Sequence, residues 1–279
     1  MDVTPHFRGG EGEPLVLIHG FSATWRAWEP VLPALTARHE VLAATLTGHH
    51  GGPALGEGVE ATIDALTDGV ERQLDEAGFA TAHLVGNSLG GWIALDLARR
   101  GRAASVVGLA PAGGWEGGGA AERRIGRLFR RQYAAAKLSA PLAETIARRP
   151  RLRRFGFREV CARGGALTPD LALASMRGVL GCDIYLDYIE NTKRDGPPRW
   201  LAEVDAPVLI AWPEHDRILP EQTCSQGMRA ISGAQWRTLE GCGHVPMWDD
   251  PALVAQVVLE FVGRHSGRLS AAGARAAGP

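Results

Sequence analysis

Apolar residues fall in short unbroken runs along this chain. Residues 15–18, 41–44, 82–85, 105–109 and 208–212 are each of strand length, and a continuous apolar run of that length predicts a strand covered on both faces. Between the runs the spacing becomes helical, over 25–37, 59–78, 89–100, 221–231 and 251–264. A last strand is predicted at 235–239. Strands alternating with helices predict an α/β fold, a mostly parallel central sheet with helices on both faces.

The rhythm stops between about 113 and 207. Helix-like stretches at 121–138, 142–164, 169–180 and 184–193 follow one another there, separated by Gly and Pro, with no strong strand pattern. The expected organisation is therefore a core from 1–112 and 207–265, interrupted by a helical insertion over 113–206. Residues 266–279 lack apolar periodicity and are expected to form a disordered tail. No internal repeat is present.

With 279 residues, 45% hydrophobic and 22% charged, the chain has the composition of a globular protein with a sizeable core. Its formal net charge of −1 leaves no global basic field, which disfavours a nucleic-acid role. No apolar run approaches the roughly 18–20 residues that cross a bilayer. The first 14 residues carry Asp2, Arg8, Glu11 and Glu13 where a signal peptide would be apolar, so a cytoplasmic location is expected. Cys161, Cys182, Cys224 and Cys242 are widely spaced, without a CxxC pair, and read as free thiols rather than a disulfide frame or a metal site.

The sharpest chemical signal is Gly86-Asn87-Ser88-Leu89-Gly90, a G-x-S-x-G between a predicted strand and a predicted helix. Such a turn strains the Ser backbone and exposes its hydroxyl as a nucleophile; the alternative is an ordinary Gly-rich turn. A nucleophilic Ser needs a base, and neutral imidazole suits the task. Of nine histidines, His244 lies directly after the last predicted strand. His83 sits inside a strand run and reads as a core residue, while His49 and His50 lie in a Gly-rich loop with no other chemistry nearby. An acid must orient the imidazole. The loop after the strand at 208–212 offers Asp216, the preferred candidate, and Glu214, the weaker one. Ser88, Asp216 and His244 then follow the chain order nucleophile, acid, histidine.

Taken together, these residues resemble the α/β-hydrolase fold family, specifically its lid-bearing serine hydrolases, over nearly the whole chain. His19-Gly20-Phe21 resembles the family's HG-x oxyanion motif, Trp28 its common aromatic, Asp216 to Pro220 its D-x-x-x-P acid loop, and Gly241 to Pro246 its G-x-G-H loop. The resemblance implies an oxyanion hole from the backbone N–H groups of Phe21 and Leu89. It also implies substrate contacts at Phe21, Ser22 and Val245, and a cap formed by the insertion after the sixth strand of the family's sheet. One departure is Thr45 and Thr47 where members often carry an Asp, which bears on loop packing. Another is Ser at the nucleophile position, where haloalkane dehalogenases and epoxide hydrolases place Asp; those chemistries are disfavoured.

The expected function is hydrolysis of a small or medium ester-like substrate, with no metal and no organic cofactor. Two alternatives remain. The same triad serves carbon–carbon bond hydrolases, perhydrolases of the haloperoxidase type and acyltransferases, and the first of these commonly carry HG-x-GPG where this chain has His19 to Ala23. The fold also hosts non-catalytic ligand-binding modules. Between Ala120 and Arg163 stand thirteen Lys and Arg against Glu122, Glu144 and Glu159. Either this basic stretch attracts an anionic substrate or a membrane surface, or it is the solvated face of helices whose apolar stripe runs through Ile125, Leu128 and Phe129.

Overall fold

A computed structural model describes residues 4–267. Seven strands form one sheet: β1 (His6–Gly9), β2 (Pro14–Ile18), β3 (Glu40–Ala44), β4 (Ala82–Asn87), β5 (Ala103–Leu109), β6 (Val208–Pro213) and β7 (Gln235–Leu239). Their spatial order is β1-β3-β2-β4-β5-β6-β7, and all neighbours are parallel except β1 with β3. Strand side chains alternate between faces. Val16, Ile18, Leu84, Val106 and Ile210 therefore enter one apolar layer, while Leu15, Leu17, Val85, Val107 and Leu209 enter the other.

The helices in the described residues are α1 (Leu32–Thr36), α2 (Ile63–Ala77), α3 (Leu89–Arg99), α4 (Ala120–Ser139), α5 (Ala143–Arg148), α6 (Pro150–Gly156), α7 (Pro169–Leu180), α8 (Tyr185–Asp195), α9 (Glu221–Cys224), α10 (Pro246–Asp249) and α11 (Pro251–Gly263). Leu66, Val70 and Leu74 of α2 join the first layer with Ile93 and Leu97 of α3. In α11, Val254, Val257, Val258 and Phe261 are fully buried in the second layer, each side chain contributing about 1.5–3 kcal/mol. Asp250 caps α11 through the Leu253 N–H, and Thr62 caps α2 through the Ala65 N–H.

All of α4 to α8 lie between β5 and β6 in the chain. The single helix expected over 142–164 is instead α5 and α6, because Pro150 lacks an N–H and forces Arg149 into extended backbone (φ −104°, ψ 112°). The helix expected over 221–231 likewise stops after α9. Gly227 donates its N–H to Gly114 O at 2.8 Å, and a Cβ on Gly114 would lie 2.4 Å from Cys224 O, so a close backbone crossing ends the α-helix and the chain continues as a 3₁₀ turn at Gln226–Ala230. The stretch 25–37 splits into a 3₁₀ turn at Trp25–Trp28 and α1, with Pro30 between them. β1 was not foreseen by the hydrophobic pattern; it is an edge strand of four residues with no buried member. Apart from Ser266 and Gly267, the expected disordered tail lies outside the described residues. No helix among the described residues is long and apolar enough to cross a membrane.

Candidate active site

The loops carrying the candidate residues emerge at the carboxyl ends of β2, β4, β6 and β7, where parallel α/β sheets present their chemistry. Ser88 follows β4 and precedes α3, with φ 55° and ψ −117°, a conformation few L-residues adopt. The flanking glycines allow it: a Cβ on Gly86 would lie 2.1 Å from Gly90 O, and one on Gly90 would lie 2.0 Å from Ile18 O. As the first helical residue, Leu89 has no intrahelical acceptor for its N–H.

The loop after β2 packs directly against this turn. A Cβ on Gly20 would sit 3.3 Å from Ser88 Cβ. Ala23 N–H donates to Gly20 O at 3.2 Å, closing a tight turn with Phe21 and Ser22 at its tip, and Ser22 has φ 58°. His19 holds the turn from below: its Nδ1 lies 2.7 Å from Gly20 O and its Nε2 accepts the Leu46 N–H at 3.0 Å. These partners require the neutral Nδ1–H tautomer. Desolvation, aided by neighbouring His49, lowers the His19 pKa to about 3.

His49 is not the isolated loop residue its sequence context suggested. Its ring centroid lies 5.2 Å from His19 and 5.9 Å from Phe21, and burial lowers its pKa to about 4. His83 is fully buried in β4, its Nδ1 2.8 Å from Ser105 Oγ, as a core residue should be. The departure at Thr45 is also absorbed locally: Thr45 Oγ1 accepts the Trp25 N–H at 3.2 Å and Thr45 O accepts from Gln73 Nε2 at 3.1 Å.

Buried neutral histidines carry a consequence for acid stability. The unfolded chain takes up protons at the ordinary imidazole value of about 6.5, whereas folded His19 and His49 do so only near 3 and 4. Their effect is absent above about pH 6.5 and destabilising below it. Together they should remove about 2–3 kcal/mol per pH unit between pH 6 and 4. Denaturant midpoints measured at pH 7, 6, 5 and 4.5 test this, with His49→Gln expected to give a shallower slope; a flat profile would refute it.

Asp216 and His244 meet in the structure. His244 Nδ1 lies 2.7 Å from Asp216 Oδ2, with both side chains at most 5% exposed. Asp216 Oδ1 accepts the N–H groups of Ile218 and Leu219 at 2.9 and 2.7 Å, which fixes the carboxylate plane. Glu214, the weaker candidate, points away: it is half-exposed and its Oε2 accepts the Gly241 N–H at 2.9 Å.

Three residues that the sequence did not flag hold the parts in place. Asn87 Nδ2 donates to His244 O and Leu109 O, each at 3.0 Å, tying the histidine loop to the serine turn. Asp249 is buried and accepts three N–H groups: Gly243 at 2.7 Å, Ala162 at 2.9 Å and Arg163 at 2.6 Å. It joins the histidine loop to the helical insertion. Arg124 of α4 donates to Ile218 O at 2.9 Å and to Arg217 O, so at least one arginine of the basic stretch braces the acid loop instead of facing solvent. Only Asn87 had a local signal, its place inside G-x-S-x-G; Arg124 acts on a loop more than ninety residues away, and Asp249, besides nearby Gly243, on residues 162 and 163.

Two cavities meet at Ser88, and Phe21 and Phe129 line both. One, of about 400 Å³, also contains Ser22, His244 and Val245 and is walled by Ile146, Phe157, Met176 and Trp248. The other, of about 440 Å³, contains Leu89 and runs between α4 and α8. Phe21 forms the partition, its ring 5.2 Å from Phe129, 4.6 Å from Tyr185 and 4.9 Å from Tyr188. Ser88, His244, Phe21, Leu89, Ser22 and Val245 thus border these cavities, Asp216 stands behind His244, and Glu214 borders neither cavity.

Comparisons agree with this layout. A model of the alpha/beta hydrolase family matches residues 15–257. The chain is 32% identical over 204 residues to Epoxide hydrolase EphH of Mycobacterium tuberculosis (strain ATCC 25618 / H37Rv), covering 71% of this chain and 93% of that protein. It is 25% identical over 274 residues to a 2-hydroxy-6-oxononadienedioate/2-hydroxy-6-oxononatrienedioate hydrolase of Cupriavidus pinatubonensis (strain JMP 134 / LMG 1197), covering 91% and 88%. In structure it resembles a bacterial membrane phospholipase A with a TM-score of 0.73 and 24% identity, over 94% of this chain and 83% of that one. From the sheet order, the serine turn after β4 and a family match that runs from β2 into α11, the chain belongs to the alpha/beta hydrolase family and is a hydrolytic enzyme.

Proposed function

We propose that the protein is a serine hydrolase that cleaves small or medium ester-like substrates through Ser88, His244 and Asp216. The observation that carries this reading is the 2.7 Å Asp216–His244 contact behind a cavity shared by His244 and the strained Ser88. Neutral His244 accepts the Ser88 proton as Oγ attacks the acyl carbon, and the Phe21 and Leu89 N–H groups stabilise the oxygen that becomes negative. The imidazolium then protonates the leaving oxygen. Water, activated by the same histidine, cleaves the acyl-enzyme, and Asp216 holds the imidazole in the tautomer both steps require. Residues 113–206 act as the cap over this site, on a core of 1–112 and 207–265.

The name of the M. tuberculosis relative raises epoxide opening, and the nucleophile argues against that reaction at Ser88. Serine attack on an epoxide carbon would leave an ether, which has no carbonyl for water to attack. A carboxylate nucleophile would leave an ester, which water can cleave. Carbon–carbon bond hydrolysis, suggested by the C. pinatubonensis relative, uses a compatible triad and is the second reading.

Mixing the enzyme with a short-chain p-nitrophenyl ester should release a burst of nitrophenol equal to the enzyme concentration, followed by slower turnover. A fluorophosphonate probe should label Ser88. Neither burst nor labelling would end the serine-hydrolase reading.

A further inference from the structure

The two cavities at Ser88 differ in chemistry, and the difference specifies a substrate. The cavity containing His244 is walled by apolar side chains, among them Met176, Val179 and Trp248. The cavity between α4 and α8 is lined by the buried, apolar Trp115, Ile125 and Ile189 and, at its exposed rim, by the cations Arg123, Arg127, Arg130 and Lys193, with Glu122 as the one carboxylate in the lining. Part of that charge is already engaged. Arg130 pairs with Glu190, Arg123 donates to Gly118 O, and Glu122 accepts the Gly118 N–H at 2.7 Å. Arg127 and Lys193 are exposed and, among the described residues, form no ion pair. They belong to different helices, α4 and α8, so one anion seated at the rim would meet cations from both.

Mechanistic direction assigns the ends. The leaving oxygen must lie near His244 to receive its proton, so the leaving group occupies the apolar cavity. The acyl chain then extends past Leu89 into the other cavity, with its far end at the rim.

Resting on the serine-hydrolase reading above, we infer that this enzyme prefers monoesters of linear dicarboxylic acids with an apolar alcohol, the free carboxylate held at the α4–α8 rim by Arg127 and Lys193. The chain's methylenes cover Trp115, Ile125 and Ile189. One chain length fits best, because a shorter diacid leaves its carboxylate stranded in the apolar middle, where burying an unpaired charge is costly. The rim is exposed, so the preference is screened by salt.

The test uses aryl monoesters of succinate, adipate, suberate and sebacate, each paired with the same compound carrying a methyl ester on its free carboxyl. The expected result is a kcat/KM ratio, acid over methyl-capped, of tenfold or more at one chain length in low salt, falling several-fold in 0.5 M NaCl. The double change Arg127→Gln, Lys193→Gln should bring that ratio close to one. Arg131→Gln, on the outer groove beside Phe155, should leave it unchanged. Ratios near one at every length, with all neutral esters cleaved, would overturn the dicarboxylate preference and leave the serine-hydrolase reading intact. A high ratio that survives the double change would overturn the assignment to Arg127 and Lys193. If no ester is cleaved and the fluorophosphonate fails to label Ser88, both readings fall.

Discussion

Ser88→Ala is expected to lower kcat by about 10⁶-fold, the scale seen when a triad serine is removed elsewhere. On the proposed mechanism the change deletes the oxygen that forms the acyl-enzyme, and neither water nor His244 would substitute for it at comparable rate. Folding should be preserved, because the hydroxyl caps no helix and Ala occupies the same volume. The strained backbone at φ 55° disfavours Ala about as much as Ser. Single-turnover kinetics with an aryl ester, together with an unchanged denaturant midpoint, check the result. Activity within tenfold of the unmodified enzyme would show that Ser88 is not the nucleophile.

Asp216→Asn should lower kcat by about 10⁴-fold, as in other triads, while leaving KM nearly unchanged. Asn can still accept the Ile218 and Leu219 N–H groups that Asp216 Oδ1 accepts now, so the loop keeps its shape. Facing His244 Nδ1, however, its amide favours the tautomer with hydrogen on Nε2, which cannot take the Ser88 proton. Glu214→Gln is the matched control. That side chain is half-exposed, accepts the Gly241 N–H and lies 3.7 Å from the exposed His215 ring, so its replacement should change kcat by less than about threefold, as expected for a surface site. The reverse pattern would transfer the acid's role to Glu214.

Much of the fold was legible because parallel strands buried on both faces leave unbroken apolar runs, and five of them mark β2 to β6 to within one or two residues at most boundaries. β1 was not legible. Its four residues alternate between exposed and half-buried, and its antiparallel pairing with β3 rests on backbone hydrogen bonds that any sequence can make. The helical insertion was recognisable as helical, but its breaks depend on single residues, Pro150 among them. The basic stretch was ambiguous for a related reason: periodicity shows which residues share a helix face, not which loop that face meets. Arg124 braces the acid loop, Arg153 is buried and donates to Ala147 O and Gly165 O, and Arg127 borders a cavity.

The sequence by itself determined the strand and helix alternation, the serine turn, and the chain order of Ser88, Asp216 and His244, because each depends on residues close together in the chain: apolar runs, glycines around a strained turn, short loops after strands. Tertiary structure alone decided which of Asp216 and Glu214 faces His244, that His19 and His49 are neutral buried groups beneath Phe21, that Asp249 links the histidine loop to residues 162 and 163, and that two unlike cavities meet at Ser88. Each of these relations joins atoms brought together by packing from distant parts of the chain. A hydrogen bond spanning 87 residues, such as that from Ala162 to Asp249, leaves no local periodicity or composition by which either end could be found.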